Sequence, residues 1–348
     1  MVTGAVSCAA VRRTTAKVME VAGSVQIDQG ECMDKFARRL VDDLIKKRAK
    51  NEGACGVGEE YVDWDECGWH YCEDREDKGG DGHLTVQYIF VLDALNWCFW
   101  PTDNFEYEQL AVSLKQVLIS TPDAFDAKKL AELTEQELES WFLPLQIPMA
   151  DERVQKINEL GVGLMNKYDG LAINLVKQAN NSATMLVDLV VDSFPGFRDH
   201  SVYKGRQVFF YKRAQILVGD VWAAFGRKSI VDLQSSSRQH HPCTFYDMSQ
   251  LTMFADYRVP QLLREENILV YLGSLASKID KKIPIPVGSE EEIEIRAATV
   301  QAVEFLNARC IALGLEITSV ELDWYLWQTG EHRLATMRPH HRTLTVYY

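Results

Sequence analysis

Positive charge is scarce in this chain. Its 37 Lys and Arg face 50 Asp and Glu, for a formal net charge of −13. A nucleic-acid polymer is bound by a basic surface that displaces counterions, so the balance argues against such a partner. A small phosphate-bearing ligand needs only a few local cations and stays open. No apolar run approaches the length needed to cross a bilayer, which argues against a membrane partner. The eight cysteines, at 8, 32, 55, 67, 72, 98, 243 and 310, form no tight framework. They read as reduced thiols of a cytoplasmic protein. Arg12 and Arg13 hint at a transit peptide, but Glu20 and Asp28 break that pattern. Also missing are a Walker loop, a dinucleotide-binding glycine fingerprint, a nucleophile elbow and a His-Glu-x-x-His pair.

What is present is ample core material, 47% hydrophobic and 10% aromatic, arranged mostly at helical spacing. Residues 14–50 are expected to be helical, with Met33, Phe36, Leu40 and Leu44 on one face. From Glu59 to Asp81, ten acids stand against Arg75 and Lys78, which reads as a solvated loop. Cys67, His70 and Cys72 raise the question of a metal, but their spacing matches no common zinc pattern. A surface loop holding Trp69 and His70 is the expectation. Residues 85–101 are strongly apolar and must be buried, with Asp93 and Asn96 as their main polar groups. Trp97, Phe99 and Trp100 then form either core or a pocket wall.

Helix follows helix from residue 127. Thr134 and Glu137 form a capping box, Val154 to Tyr168 an apolar stripe, and Asn181 or Ser182 caps the helix ending near Pro195. Residues 208–225 give another helix, and the polar stretch 234–241 reads as a turn. Asp256–Glu265 and Leu269–Ile279 are expected as a helix–loop–helix, followed by a Pro-rich link over 281–289. A long helix runs from about 290, with Glu290, Glu291 and Glu292 suiting its N-terminal dipole. In the last helix, 319–328, Asp323 and Trp327 share one face. The terminal Val-Tyr-Tyr is expected as a short strand. The class is mainly α.

Three acids embedded in aromatic sequence carry the chemistry: Asp93, Asp256 and Asp323. Two carboxylates in one pocket suit cleavage of a glycosidic bond. A carboxylate also matches the N–H donors on the edge of a guanine-like base, and aromatic rings supply stacking surfaces. For Asp256, the competing structural account is an ion pair with Arg258 or a helix N-cap.

Several long strings in fixed order resemble the queuosine salvage protein family, the queuosine 5′-phosphate N-glycosylase/hydrolases. They are Tyr-Ile-Phe-Val-Leu-Asp-Ala-Leu-Asn-Trp-Cys-Phe-Trp at 88–100, Ser-Phe-Pro-Gly-Phe-Arg-Asp at 193–199 and Phe-Tyr-Lys-Arg-Ala-Gln-Ile-Leu-Val at 210–218. Leu-Thr-Met-Phe-Ala-Asp-Tyr-Arg-Val-Pro-Gln at 251–261, Glu-Ile-Arg at 294–296 and Leu-Asp-Trp-Tyr-Leu-Trp at 322–327 continue the match to the final Tyr-Tyr. The resemblance implies one mostly helical domain, residues 12–348 with an acidic insertion at about 51–83, similar to helix–hairpin–helix DNA glycosylases. It implies hydrolysis of queuosine 5′-monophosphate to release queuine, a 7-deazaguanine base with a cationic cyclopentene arm, for reuse in tRNA. No metal or organic cofactor is implied, and a monomer is expected. Asp256 matches the family's catalytic carboxylate. Phe254, Asp323 and His70 match substrate-pocket positions, whereas Trp324 and Gln328 stand where the family often has Tyr and an acid. Lys212, Arg213 and Arg258 are candidates for the phosphate, with Asp93 and Asn96 as further pocket candidates. A non-catalytic queuine-binding protein and a DNA-repair glycosylase are the competing functions.

Overall fold

The computed structural model describes residues 6–52, 64–75, 79–226 and 241–348. Cys55, the acidic residues at 59–63 and 76–78, and the polar stretch 234–240 lie outside the described residues. The described chain is mainly helical, as its periodicity predicts. Its helices are α1 (Val6–Met19), α2 (Glu31–Glu52), α3 (His83–Leu95), α4 (Tyr107–Ser120), α5 (Ala127–Glu132), α6 (Glu135–Ser140) and α7 (Ala150–Tyr168). They continue as α8 (Ala172–Gln178), α9 (Ala183–Ser193), α10 (Lys212–Ala224), α11 (Arg258–Glu265), α12 (Leu275–Asp280), α13 (Glu290–Ala312) and α14 (Ser319–His332). No helix among the described residues is long and apolar enough to cross a membrane.

Four short strands correct the sequence reading. β1 (Val25–Ile27) breaks the expected helix 14–50 in two and pairs antiparallel with β4 (Leu269–Tyr271), Gln26 opposite Val270. β2 (His200–Tyr203) and β3 (Arg206–Phe209) form a hairpin where the helix of 208–225 was expected to begin. Its two-residue turn, Lys204–Gly205, has positive φ at both positions, the geometry that matches the twist of the strands. Strands this short carry no readable period. The terminal Val-Tyr-Tyr forms no strand. Tyr348 is nevertheless buried, its carbonyl accepting from the Cys98 N–H at 2.9 Å.

α3 is the axis of the molecule. Every residue from Thr85 to Leu95 is buried, as befits a helix that is apolar all round. α4, α7, α8 and α10 pack around it. Its N-terminus is capped from a distance, since the Asp74 carboxylate accepts from the Leu84 and Thr85 N–H groups at 2.7 and 2.9 Å. The Thr134–Glu137 capping box and the Ser182 cap form as predicted. α13 packs on α1, α2 and α14, and a continuous apolar core joins α3 and α13. That core includes Cys8 and Val11, ahead of the residue-12 boundary read from sequence.

Candidate active site

A helix C-terminus leaves carbonyls without partners and carries a partial negative charge. At the end of α3, three buried cations meet that need. Arg153 donates to Leu95 O at 2.5 Å and to Trp97 O at 2.6 Å, with its guanidinium 4.2 Å above the Trp97 ring. Arg213 donates to Ala94 O at 2.8 Å, and Lys212 Nζ to Asn96 O at 3.0 Å. The turn so fixed presents Asn96, Trp97 and Phe99 to a cavity of about 140 Å³.

Residues 251–256, without helix or strand, form the facing wall and are pinned from several sides. Thr252 N–H donates to Gln215 Oε1 at 2.8 Å, and Phe254 N–H to Asp323 Oδ1 at 3.0 Å. Arg296 Nε donates to Ala255 O at 3.2 Å. Asp256 Oδ1 accepts the N–H groups of Arg258 and Val259, both at 3.0 Å. It therefore caps α11, and the structural account of this acid holds for one oxygen. No hydrogen bond among the described residues uses Oδ2. Asp256 sits deep but keeps solvent contact through the cavity.

α14 closes the site. Asp323, Trp324, Trp327, Gln328 and Glu331 all line the cavity, so Asp323 and Trp327 do share a face. Trp324 stacks on Trp222, centroids 6.2 Å apart, and its Nε1–H has no acceptor among the described residues. His70 is only 4% exposed, which corrects the surface-loop expectation. It stacks on Trp64 at 3.9 Å, and its ring nitrogens meet Asp65 at 2.7 Å and the Tyr107 hydroxyl at 2.9 Å.

Burial sets the electrostatics. It raises the Asp256 carboxyl above the ordinary carboxylate range, against the pull of Lys212 and two N–H groups. Asp323 is pushed well above that range by burial and then by the Asp256 charge. Two neighbouring acids are thus separated, with Asp256 the one more readily ionised. Burial also lowers Lys212, while Asp256 and Asp93 raise it.

The structure gathers Asp256, Phe254, Asp323, Trp324, Gln328, His70, Lys212 and Asn96 around one cavity. It does not bring Arg213, Arg258 or Asp93 to the wall. Arg213 is committed to backbone carbonyls and lowered by burial to about 10. Arg258 donates to Glu331 at 2.5 Å and to Gln261 at 2.6 Å. Asp93 lies behind the wall, accepting from Asn96 Nδ2 at 3.1 Å, and burial lifts it to about 7.

The sequence reading passed over Asp220. This α10 acid is 1% exposed, lines the cavity, and has an Oδ2 without a hydrogen-bond partner among the described residues. Its one signal was an acid set among Leu217, Val218 and Val221 in an apolar helix.

The family model described as queuosine salvage protein matches residues 76–348. A queuosine 5′-phosphate N-glycosylase/hydrolase of Dictyostelium discoideum is 43% identical over 340 residues, covering 97% of this chain and 98% of its own length. A protein of the same name from Sphaerobacter thermophilus is 39% identical over 286 residues, covering 79% and 85%. One from Mus musculus is 30% identical over 305 residues, covering 80% and 86%.

Proposed function

The chain belongs to the queuosine salvage protein family, and on that basis we propose that it hydrolyses the N-glycosidic bond of queuosine 5′-phosphate to release queuine. One observation carries the assignment of the chemistry to Asp256. Its Oδ1 is fixed by two backbone N–H groups, while the residue opens onto a cavity walled by aromatic rings. As the base departs, positive charge grows on the anomeric carbon. A carboxylate already held in place stabilises that charge without reorganising. The same group then orients water and takes its proton.

Asp323 is suited to the N–H edge of the 7-deazaguanine, and those donors favour its ionised form. Phe254 and Trp324 offer faces for the rings. Gln328 can hydrogen-bond the substrate's amine arm but cannot neutralise it. Among the described residues that line the cavity, Lys212 is the only Lys or Arg, so we assign it the phosphate. We assign the activity to residues 12–348 acting as one monomeric unit in the cytoplasm, with no nucleic-acid partner. The seven free cysteines among the described residues suit a reducing compartment, and the net charge suits the partner assignment.

Chromatography of free queuine after incubation with queuosine 5′-monophosphate tests the activity. Wild type should release queuine with or without a chelator. Asp256→Asn should lower kcat by roughly 10²–10⁴-fold. A folded wild type that binds queuine yet releases none would favour the binding-protein reading.

A further inference from the structure

We propose that Asp220 is a second catalytic residue, the acid that donates a proton to the departing base. This rests on the hydrolase reading above and adds a group to it. Ordinary purine nucleosides are commonly activated for cleavage by protonation at N7. A 7-deazaguanine has carbon there, so that route is closed. The base must then leave as an anion or receive its proton at another ring atom, and an acid in the pocket removes the first cost.

Asp220 has the geometry for this donor. It comes to the cavity wall from α10, one residue after Gly219, and is 1% exposed. A Cβ at Gly219 would lie 3.0 Å from the Phe254 ring and 3.3 Å from Val320, so α10 presses directly on the site walls. The Trp64 side chain pulls the Asp220 carboxyl toward its ionised form, but Oδ2 is buried without a hydrogen-bond partner among the described residues. A buried oxygen in that state is costly for an ion but suits a proton awaiting an acceptor. The titratable groups facing Asp220 are Asp93 and Tyr88 on α3, Tyr107 on α4, Lys212 on its own helix and Asp323 on α14. Burial and then the Asp93 charge push Asp220 well above the ordinary carboxylate range, outweighing Trp64 and Lys212. It is therefore held as the neutral acid, while Asp256 serves as the carboxylate.

The step balances. The C1′–N9 bond breaks with its electron pair staying on the base, and the Asp220 proton passes to a ring nitrogen of that base. Water adds to C1′ and yields one proton to Asp256. Exchange with solvent then returns both acids to their starting forms.

The test is the pH profile of kcat for queuosine 5′-phosphate, measured on wild type, Asp220→Asn and Asp220→Glu, with circular dichroism to check folding. A proton donor gives wild type an alkaline limb, on which kcat falls as Asp220 ionises. Asp220→Asn should lower kcat by about 100-fold, with KM little changed, and should abolish that limb. Asp220→Glu should keep partial activity and an alkaline limb at a shifted pH. A flat alkaline profile in wild type overturns the proposal even if no variant folds. A folded Asp220→Asn with unchanged kcat, or with the limb intact, overturns it as well. Inactive wild type would instead strike at the hydrolase reading itself, so the two failures are distinguishable.

Discussion

Lys212 shows how far one residue's surroundings decide its use. Its Nζ is tied to the Asn96 carbonyl at 3.0 Å, so it both caps α3 and lines the cavity. Burial makes its charge expensive, and a dianionic phosphate would repay that cost. Lys212→Met should therefore reduce kcat/KM for queuosine 5′-phosphate far more than for the unphosphorylated nucleoside. Equal losses, measured by queuine release from both substrates, would reduce its role to capping. Sequence pattern singled out Lys212, Arg213 and Arg258 together, because a cation in an apolar stretch looks the same whichever acceptor it meets. Only the fold reveals that Arg213 meets carbonyls and Arg258 meets Glu331. Asp220 was missed for the opposite reason. The groups that set its electrostatics, Asp93 and Trp64, come from remote parts of the chain, and no local spacing records their convergence.

Among the elements, α13 braces a site that it does not line. Arg296, 1% exposed, donates to both Asp199 oxygens at 2.9 and 2.6 Å, and to the Ala255 carbonyl just before Asp256. Asp199 in turn accepts the Lys212 N–H at 3.1 Å, at the start of α10. One guanidinium thereby sets the segment that ends in Asp256 against the helix that carries Lys212 and Asp220. Arg296→Met leaves Asp199 as an unpaired buried charge, at a cost of about 3–5 kcal/mol. Chemical denaturation should register that loss, and kcat should fall with little change in KM. An unchanged denaturation midpoint would show that Asp199 finds another partner. The long helices were legible because 14 or more residues of apolar spacing outweigh local noise, as in α7 and α13. The three- and four-residue strands were not, since their pairing is made by the fold.

Across the whole molecule, the net charge of −13 repels an anionic nucleotide at long range. Salt screens that repulsion, so kcat/KM for queuosine 5′-phosphate should hold or rise between roughly 20 and 200 mM salt. A DNA-binding glycosylase would show a steep fall over the same range. Steady-state rates across a salt series decide between the two, and a steep fall would mean that a cationic surface steers the substrate. The cavity itself has a different consequence. Trp64, Trp69, Trp97, Trp324 and Trp327 line it, five of the eight tryptophans in the chain. Most of the tryptophans thus surround the cavity, and a stacked deazaguanine would quench them. The protein carries its own optical gauge of occupancy, readable without a label in a variant that binds but does not turn over.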